Sequence, residues 1–352
     1  MIDMLKIHLK IISDSEHTSA IITGLLMLEE QGLIELSIDL CYDQLLLFPH
    51  SHIVEICILG KVIAFDLLDG YNWDLDKTED YLDRVDFYFK RSFCLKKNEM
   101  ISATNRIKIH PLGFNYSVTY KNNPINDIVV NKSIKAYIAS LLGIKPFSYF
   151  TTSVFEAPAN YKKGNLKILF IPRLWEVDEQ LSPSLNQERE YINQMRIRIV
   201  RNLKKIYPHN FVGGIQYSKL AKNICGDLIV PRWYTMRSYY LNLMKSSDIC
   251  IGSMGLHESI SWKTGEYIAA SRAIVNERLH YEVVGPFNEG VNYLSFDSVD
   301  QCIQQVSFLM EHPDVVYSMK KENERYYKEY LRPDKLVSNA IKSVLVETTE
   351  IF

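Results

Sequence analysis

Apolar residues recur along this chain in short β-type runs separated by stretches of helical period. Leu5 to Ile12 (LKIHLKII) is rich in strand formers and ends in the polar loop Ser13-Asp14-Ser15-Glu16-His17. Ala20, Ile21, Leu25 and Leu28, with Ile22 and Leu26 beside them, then repeat at helical spacing as far as Gly32, so the chain opens as strand, loop and helix. Further apolar runs follow at Ile34 to Cys41, Val54 to Leu59, Val62 to Leu67, Val85 to Phe89 and Ile107 to His110. Polar or helix-compatible stretches separate most of them, which predicts an open α/β sheet. Residues 117–164 break the rhythm with a predicted helix, Lys132 to Leu142, between polar segments, and the domain junction is placed there. The alternation restarts at Leu166 to Ile171 (LKILFI), with a long amphipathic helix from about Asn186 to Tyr207. Runs at Phe211 to Ile215 and Asp227 to Val230 and a helix from about Tyr234 to Ser246 continue it. Asp248 to Ile251 (DICI), Ala273 to Asn276 and Tyr293 to Phe296 complete a second doubly wound domain. The tail, Val315 to Leu345, reads as helices interrupted at Arg332-Pro333.

Length agrees with two domains, since 352 residues at roughly 150 per domain give each half its own core. A formal charge of −2 removes the simplest argument for nucleic acid, because a phosphate-tracking protein shows a domain-wide basic excess. The total conceals an asymmetry: residues 1–83 carry 4 basic and 16 acidic side chains, whereas residues 84–163 carry 13 basic and 4 acidic ones. Six cysteines are scattered singly, without a CxxC pair or a nearby histidine at ligand spacing, which suggests reduced thiols rather than a disulfide framework or a zinc site. The N-terminus places lysines inside its apolar stretch, and the longest hydrophobic run, Ile53 to Leu68, is broken by Glu55, Lys61 and Asp66. A soluble, cytoplasmic protein is expected.

The stretch that carries chemistry is SMGLHESISWKTGEYIAASRAIVNE, residues 253–277. It joins the end of the DICI strand to a helix and another strand, where open α/β sheets bind ligands. Within it Glu258 and Glu266 have seven residues between them, and Lys263 lies three before Glu266. A carboxylate here can accept paired hydrogen bonds from ribose or sugar hydroxyls, and a lysine one turn away can face a diphosphate. Glu266 to Val275 resembles E-x-x-A-x-G-x-P-V-V, with Ser271 and Ala273 in the glycine and proline positions, and Lys263 with Tyr267 resembles K-x-x-E-Y. These are donor-site signatures of GT-B glycosyltransferases, in particular of the retaining group with two glutamates spaced by seven (the glycosyl transferases group 1 type).

The resemblance implies an α/β GT-B fold of two Rossmann-like doubly wound domains facing across a cleft. It makes residues 1–155 the acceptor-binding domain, with a linker at about 117–164, and 156–330 the nucleotide-sugar-binding domain; 331–352 would cross back to the N-terminal domain. It implies that Glu266 holds ribose hydroxyls and that Glu258 contacts the sugar or balances charge beside it. Ile168 to Leu174 (ILFIPRL) resembles the family's strand followed by Gly-Arg-Leu, with Pro172 in the glycine position, so Arg173 would stabilise the departing diphosphate. Lys263 would supply a second cation, since Glu176, Asp178 and Glu179 stand where the family usually has a lysine. Gly255 and His257 would bring backbone N–H groups toward phosphate, with Arg232 and Arg237 as further, weaker candidates. Ile107 to Asn115 (IKIHPLGFN) resembles the family's P-x-G-x-(D/N) segment.

On the acceptor side the polar groups available after N-terminal strands are Asp14, Glu16 and His17, then Asp66 and Asp69, with His17 and Asp69 as the catalytic candidates. Asp74-Leu75-Asp76 spells a D-x-D triplet, but DLDKTEDY reads as a helix start with acids at the favourable dipole end, and no metal or other cofactor is expected. The basic segment, with Lys90-Arg91, Lys96-Lys97 and Lys162-Lys163 among aromatics, could attract an anionic lipid-linked acceptor, an acidic polysaccharide or the inner leaflet of a membrane, or could neutralise the acidic first segment. The expected partners are a nucleotide-sugar donor and a glycan or lipid-linked acceptor, with peripheral contact at the cytoplasmic face of the inner membrane and no nucleic acid. The function implied is glycosyl transfer to a hydroxyl in bacterial surface polysaccharide or lipopolysaccharide synthesis. The alternatives are a nucleotide-sugar epimerase of the same fold and a non-catalytic binding module.

Overall fold

The structure, a computed structural model, describes residues 4–126 and 150–349, so the helix expected over Lys132 to Leu142 lies outside the described residues. Two compact α/β units make up the chain. The first takes Met1–Ser153, Tyr281–Gly285 and Lys328–Phe352, and the second Val154–His280 and Pro286–Tyr327.

In the first unit the sequence runs β1 (Leu5–Ile11), α1 (Ser19–Glu30), β2 (Ile34–Leu40), β3 (Ile53–Ile58), β4 (Lys61–Asp66), α2 (Leu75–Leu82), β5 (Phe87–Lys90) and β6 (Ile109–Pro111). The sheet order is β2-β1-β3-β4-β5-β6. β1 pairs parallel with β2, and β4, β5 and β6 are parallel to one another, but β3 runs antiparallel to both β1 and β4. The cause is local. Leu59 and Gly60, between β3 and β4, both have positive φ (50° and 76°), the requirement of a two-residue type I′ turn whose twist suits a hairpin. The two apolar runs separated by Leu59-Gly60 are therefore one hairpin rather than two strands joined by a crossover.

The Ile7, Leu9 and Ile11 side of β1 packs on Ile21, Ile22, Leu25 and Leu28 of α1. Each such aliphatic side chain, fully buried, is worth about 1.5–3 kcal/mol of transfer free energy. The same core takes in Val337, Ile341 and Val344 of the C-terminal helix α9, Pro333–Thr349, which packs against α1. That contact is close because α1 carries Gly24, where a Cβ would lie 2.2 Å from the Pro333 carbonyl oxygen. A second core on α2 collects Tyr81, Leu82, Val85, Tyr88 and Ile109. Asp74 caps α2, its side chain accepting the Lys77 N–H at 3.2 Å, the role expected of an acid at a helix start.

The second unit is all-parallel, in the order β11-β10-β9-β7-β8. Its strands are β7 (Ile168–Phe170), β8 (Phe211–Gly213), β9 (Ile249–Gly252), β10 (Ala273–Glu277) and β11 (Tyr293–Phe296). The helices are α3 (Pro183–Ile206), α4 (Lys219–Cys225), α5 (Arg237–Ser246), α6 (Trp262–Ala269), α7 (Val299–Glu311) and α8 (Pro313–Tyr326). The central strands β7, β9 and β10 are fully buried, as a sheet covered on both faces requires, whereas the edge strand β8 is only partly so. Asp227 to Val230, expected as a strand, makes one bridge, Ile215 with Ile229, because Gly226 opens a 3₁₀ turn and Pro231 follows at once. From β7 the chain proceeds to β8 on one side of the sheet, and β9 then pairs on the other. The carboxyl ends of β7 and β9 thus mark the reversal point where such sheets form a ligand crevice. Among the described residues no helix is long and apolar enough to cross a membrane.

Candidate functional site

At the carboxyl end of β7 the chain turns through Ile171-Pro172-Arg173. The Arg173 guanidinium lies over the Trp175 ring, 3.9 Å from its centroid. Trp175 is held by Asn193 of α3, which accepts the Trp175 N–H and donates to the Trp175 carbonyl, both at 2.8 Å. Burial, then the neighbouring Arg189, pulls the Arg173 pKa below its ordinary value.

Glu266, on the buried face of α6, is gripped by Arg237 at the start of α5. Its Oε1 accepts from Nη2 at 2.7 Å and its Oε2 from Nη1 at 3.1 Å, with the Glu266 side chain 4% exposed. This fork-to-carboxylate geometry is the strong form of a charged hydrogen bond. It replaces the Lys263 partner that i, i+3 spacing offers. Lys263 instead donates to the Ile171 carbonyl and sits 5.0 Å from the Tyr240 ring centroid. Burial pushes the Lys263 pKa down to about 8; Glu266 opposes this, and the guanidiniums of Arg196, Arg237 and Arg173 add to it. Arg173, Lys263 and Glu266 thus come together, and Arg237 joins them as the partner that organises the carboxylate.

Arg196 was not legible as a site residue. It lies on the buried face of α3 and ties two loops: it donates to the Arg173 carbonyl (2.7 Å), the Ser253 hydroxyl (3.0 Å) and the Met254 carbonyl (2.9 Å). Its pKa is lowered to about 10 by burial, against the pull of Glu277. Glu277, ending β10, accepts the Met254 N–H at 2.6 Å, and burial raises its pKa. Both residues fix the loop after β9. That loop is bent: His257 and Glu258 each have φ 59°, a left-handed conformation costing about 1–2 kcal/mol per L-residue. Gly255 donates its N–H to the Ser259 carbonyl (2.9 Å) and His257 donates its own to Glu188 (2.6 Å). Of these amides, for which the resemblance implied phosphate, the first closes the loop on itself and the second ties it to α3. A Cβ on Gly255 would displace the Ser259 hydroxyl. Glu258 lies 3.9 Å from His280, half-exposed, and Arg232 lies over the Tyr217 ring at 4.5 Å.

The end of α6 puts Ser271 where a glycine would be favoured. Ser271 stands at φ 55°, with its N–H on the Ile268 carbonyl and the Arg272 N–H on that of Tyr267. This is a Schellman motif, in which the left-handed position favours glycine. Ser271→Gly relieves that conformation, and chemical denaturation is expected to show the protein more stable by about 0.5–1 kcal/mol. A loss of stability would mean that the serine hydroxyl is doing something the backbone does not reveal.

In the first unit the stretch after β4 carries Asp69 and the Leu67 carbonyl that His17 faces, and it begins at Asp66. The buried Asp66 carboxylate accepts from Lys90 Nζ (2.8 Å), the Tyr88 hydroxyl (2.7 Å) and the Leu68 N–H (2.7 Å), and lies 3.3 Å from His50 Nε2. Burial alone would raise its pKa, but Lys90 and His50 hold it well below the usual carboxylate range. Asp69 is paired with Arg91. The His17 ring packs on His52, centroids 4.4 Å apart, with Nδ1 3.3 Å from the Leu67 carbonyl. Burial, then Arg91 and His52, lowers the His17 pKa to about 4. His17 and His52, with the loop Ser13 to Glu16 and Ser51, line a depression of about 260 Å³. His50 and His52 escaped the sequence reading because the β3 hairpin, not proximity in the chain, brings them to the β1 loop.

No family model and no curated protein matches this chain. Solved structures do show likeness. The C-terminal domain of a glycosyl transferase group 1 family protein (LpcC) from Francisella tularensis is similar at 12% identity over 50% of this chain and 95% of that one, TM-score 0.34. HepE from Anabaena in complex with UDP-glucose is similar at 10% identity over 97% and 100%, TM-score 0.39. TarM is similar at 12% identity with a TM-score of 0.37, and the chain, 83% of it aligned, spans 64% of that protein's length. With likeness at this level, the functional reading rests on the side chains.

Proposed function

We propose that this chain is a GT-B glycosyltransferase that moves a sugar from a nucleotide-sugar donor to a hydroxyl of a glycan or lipid-linked acceptor, in surface polysaccharide or lipopolysaccharide synthesis. The observation that carries the reading is the cluster at the reversal point of the second sheet: Arg173, Lys263 and Arg237 around the buried Glu266. Three cations at the carboxyl ends of parallel strands suit a diphosphate, whose negative charge grows as the glycosidic bond to it breaks. Arg173 presents a guanidinium pre-oriented on Trp175, and Lys263 a compact point charge. Each carboxylate oxygen of Glu266 keeps a further lone pair beyond its Arg237 bond, which suits it to ribose hydroxyls. Glu258 and Arg232 serve the outer part of the donor, and the His17 and Asp69 unit serves the acceptor.

The direct test is thermal stabilisation by UDP, GDP and ADP, followed by mass analysis of products from the matching nucleotide sugars. A ligand at a hundred times its Kd stabilises a binding-competent fold by about 2.7 kcal/mol. One nucleoside diphosphate is expected to protect and its sugar to be transferred. Isomerised nucleotide sugar without transfer would point to an epimerase, and silence from all three nucleotides to a non-catalytic module.

A further inference from the structure

The cations of the second unit form a line that can be followed contact by contact. It starts at Glu266 in the Arg237 clamp and passes to Lys263, one turn earlier on α6. Lys263 holds the Ile171 carbonyl, and Arg173 comes two residues after that group. Arg173 lies on the Trp175 ring, and a second guanidinium, that of Arg189 on α3, stands 5.9 Å from the same ring centroid. The electrostatics keep this order: Lys263 feels Arg196, Arg237 and Arg173, and Arg173 feels Arg189. Arg189 is therefore at the end of the line away from Glu266.

Two guanidiniums beside one indole repel each other, and charges drawn out of water call for a counter-charge. Among the described residues no carboxylate pairs with either of them. Arg189 donates to the Glu176 carbonyl, a neutral acceptor, and its Nε has no protein acceptor; the buried Nε1 of Trp175 has none either. The acids nearby in the chain are engaged elsewhere or exposed. Asp178 accepts the Gln180 N–H and Glu188 the His257 N–H, while Glu176 and Glu179 are exposed. The cluster is thus rich in donors and positive charge and short of acceptors. Arg173 stays accessible to solvent and Arg189 is half-buried, so a ligand can reach them.

We infer that Arg189 is a specificity-determining residue of the donor site: together with Arg173 it takes the terminal phosphate of a nucleoside diphosphate, and it sets the preference for diphosphate over monophosphate. The nucleotide in this statement rests on the function proposed above; a phosphate held by the arginine pair does not. With the ribose at Glu266, Lys263 comes next, at the inner phosphate, and the two guanidiniums follow at the outer one, where charge grows as the glycosidic bond breaks.

The test is titration calorimetry of the full chain at low salt with UDP, GDP and ADP, the matching monophosphates and inorganic pyrophosphate. The nucleoside diphosphate that binds should do so at least about tenfold more tightly than its monophosphate, a difference of roughly 1.4 kcal/mol. In Arg189→Gln that ratio should fall below about threefold through loss of diphosphate affinity alone, with monophosphate affinity unchanged and pyrophosphate weakened in step. Arg189→Lys, which keeps the charge and loses the fork, should fall between the two. An unchanged ratio in Arg189→Gln, or an equal loss of both nucleotides, overturns the inference and leaves the donor reading standing. If no nucleotide binds the wild type while pyrophosphate binds through Arg189, the phosphate site stands and the donor reading falls. Silence from pyrophosphate as well removes both.

Discussion

Glu266→Ala lowers the stability of the second unit by about 2–3 kcal/mol, which for a unit of this size is a drop of roughly 5–10 °C in Tm. Removing the carboxylate takes away the acceptor of the two Arg237 bonds at 2.7 and 3.1 Å. Breaking a fully buried pair costs about 3–5 kcal/mol, and the loss here falls at or just under the lower figure because Arg237 keeps 21% of its side chain in solvent. The loss belongs to the pair and not to the carboxylate alone, so Arg237→Met in the Glu266→Ala background should return part of it. A double-mutant cycle with coupling under about 0.5 kcal/mol would show the clamp to be idle. Either single change should also abolish stabilisation by nucleotide. Activity loss alone is therefore ambiguous at this position, and Glu266→Gln, which keeps an acceptor and the side-chain volume, is the better probe of the donor role.

On the function proposed above, raising the pH from 7 to 9 should weaken nucleotide binding roughly tenfold while making the empty protein more stable, and both changes trace to Lys263. Its pKa in the fold is about 8 against an ordinary 10.5, with burial the main cause. As the pH climbs through 8 the ammonium loses its proton and a diphosphate loses one of its cations. The sign for stability is opposite. A lysine depressed in the folded state binds fewer protons there than in the unfolded chain. Its unfavourable contribution is thus present in full below about pH 8 and is relieved as the pH rises toward 10.5. Melting curves with and without nucleotide across this range should converge. In Lys263→Met the convergence should vanish, and an unchanged profile in that variant would assign the titration to another group.

The strand runs LKILFI and DICI were enough to place Arg173 at a strand end and Lys263 and Glu266 on the helix that follows another, because apolar periodicity reports which backbone segments are buried and where they stop. Periodicity does not report what a buried polar group holds. Glu266 has Lys263 one turn before it on the same helix, yet its partner is Arg237, 29 residues away on α5. Arg196 lies in the middle of a helix whose period assigns it only to a face, and three of its bonds go to loops that share no sequence signal with it. In the first unit the paired strands β3 and β4 looked like two members of an alternating α/β sheet. Leu59 at φ 50° is an uncommon residue for a type I′ turn, so the usual Asn-Gly cue for a hairpin was missing, and with it the route that brings His50 and His52 beside His17.

The packing of α9 on α1 sets an order of events during synthesis. The apolar face of Ile21, Ile22, Leu25 and Leu28 is made near the start of the chain, and Val337, Ile341 and Val344, which complete its core, come more than 300 residues later. At about 5–20 residues per second that face waits on the order of 15–60 s for its partner. The second unit, whose strands and helices lie between these two stretches, can finish its own core in the meantime. The first unit to be translated is thus the last to close, and for that interval its unfinished face is the part of the nascent protein most in need of a chaperone.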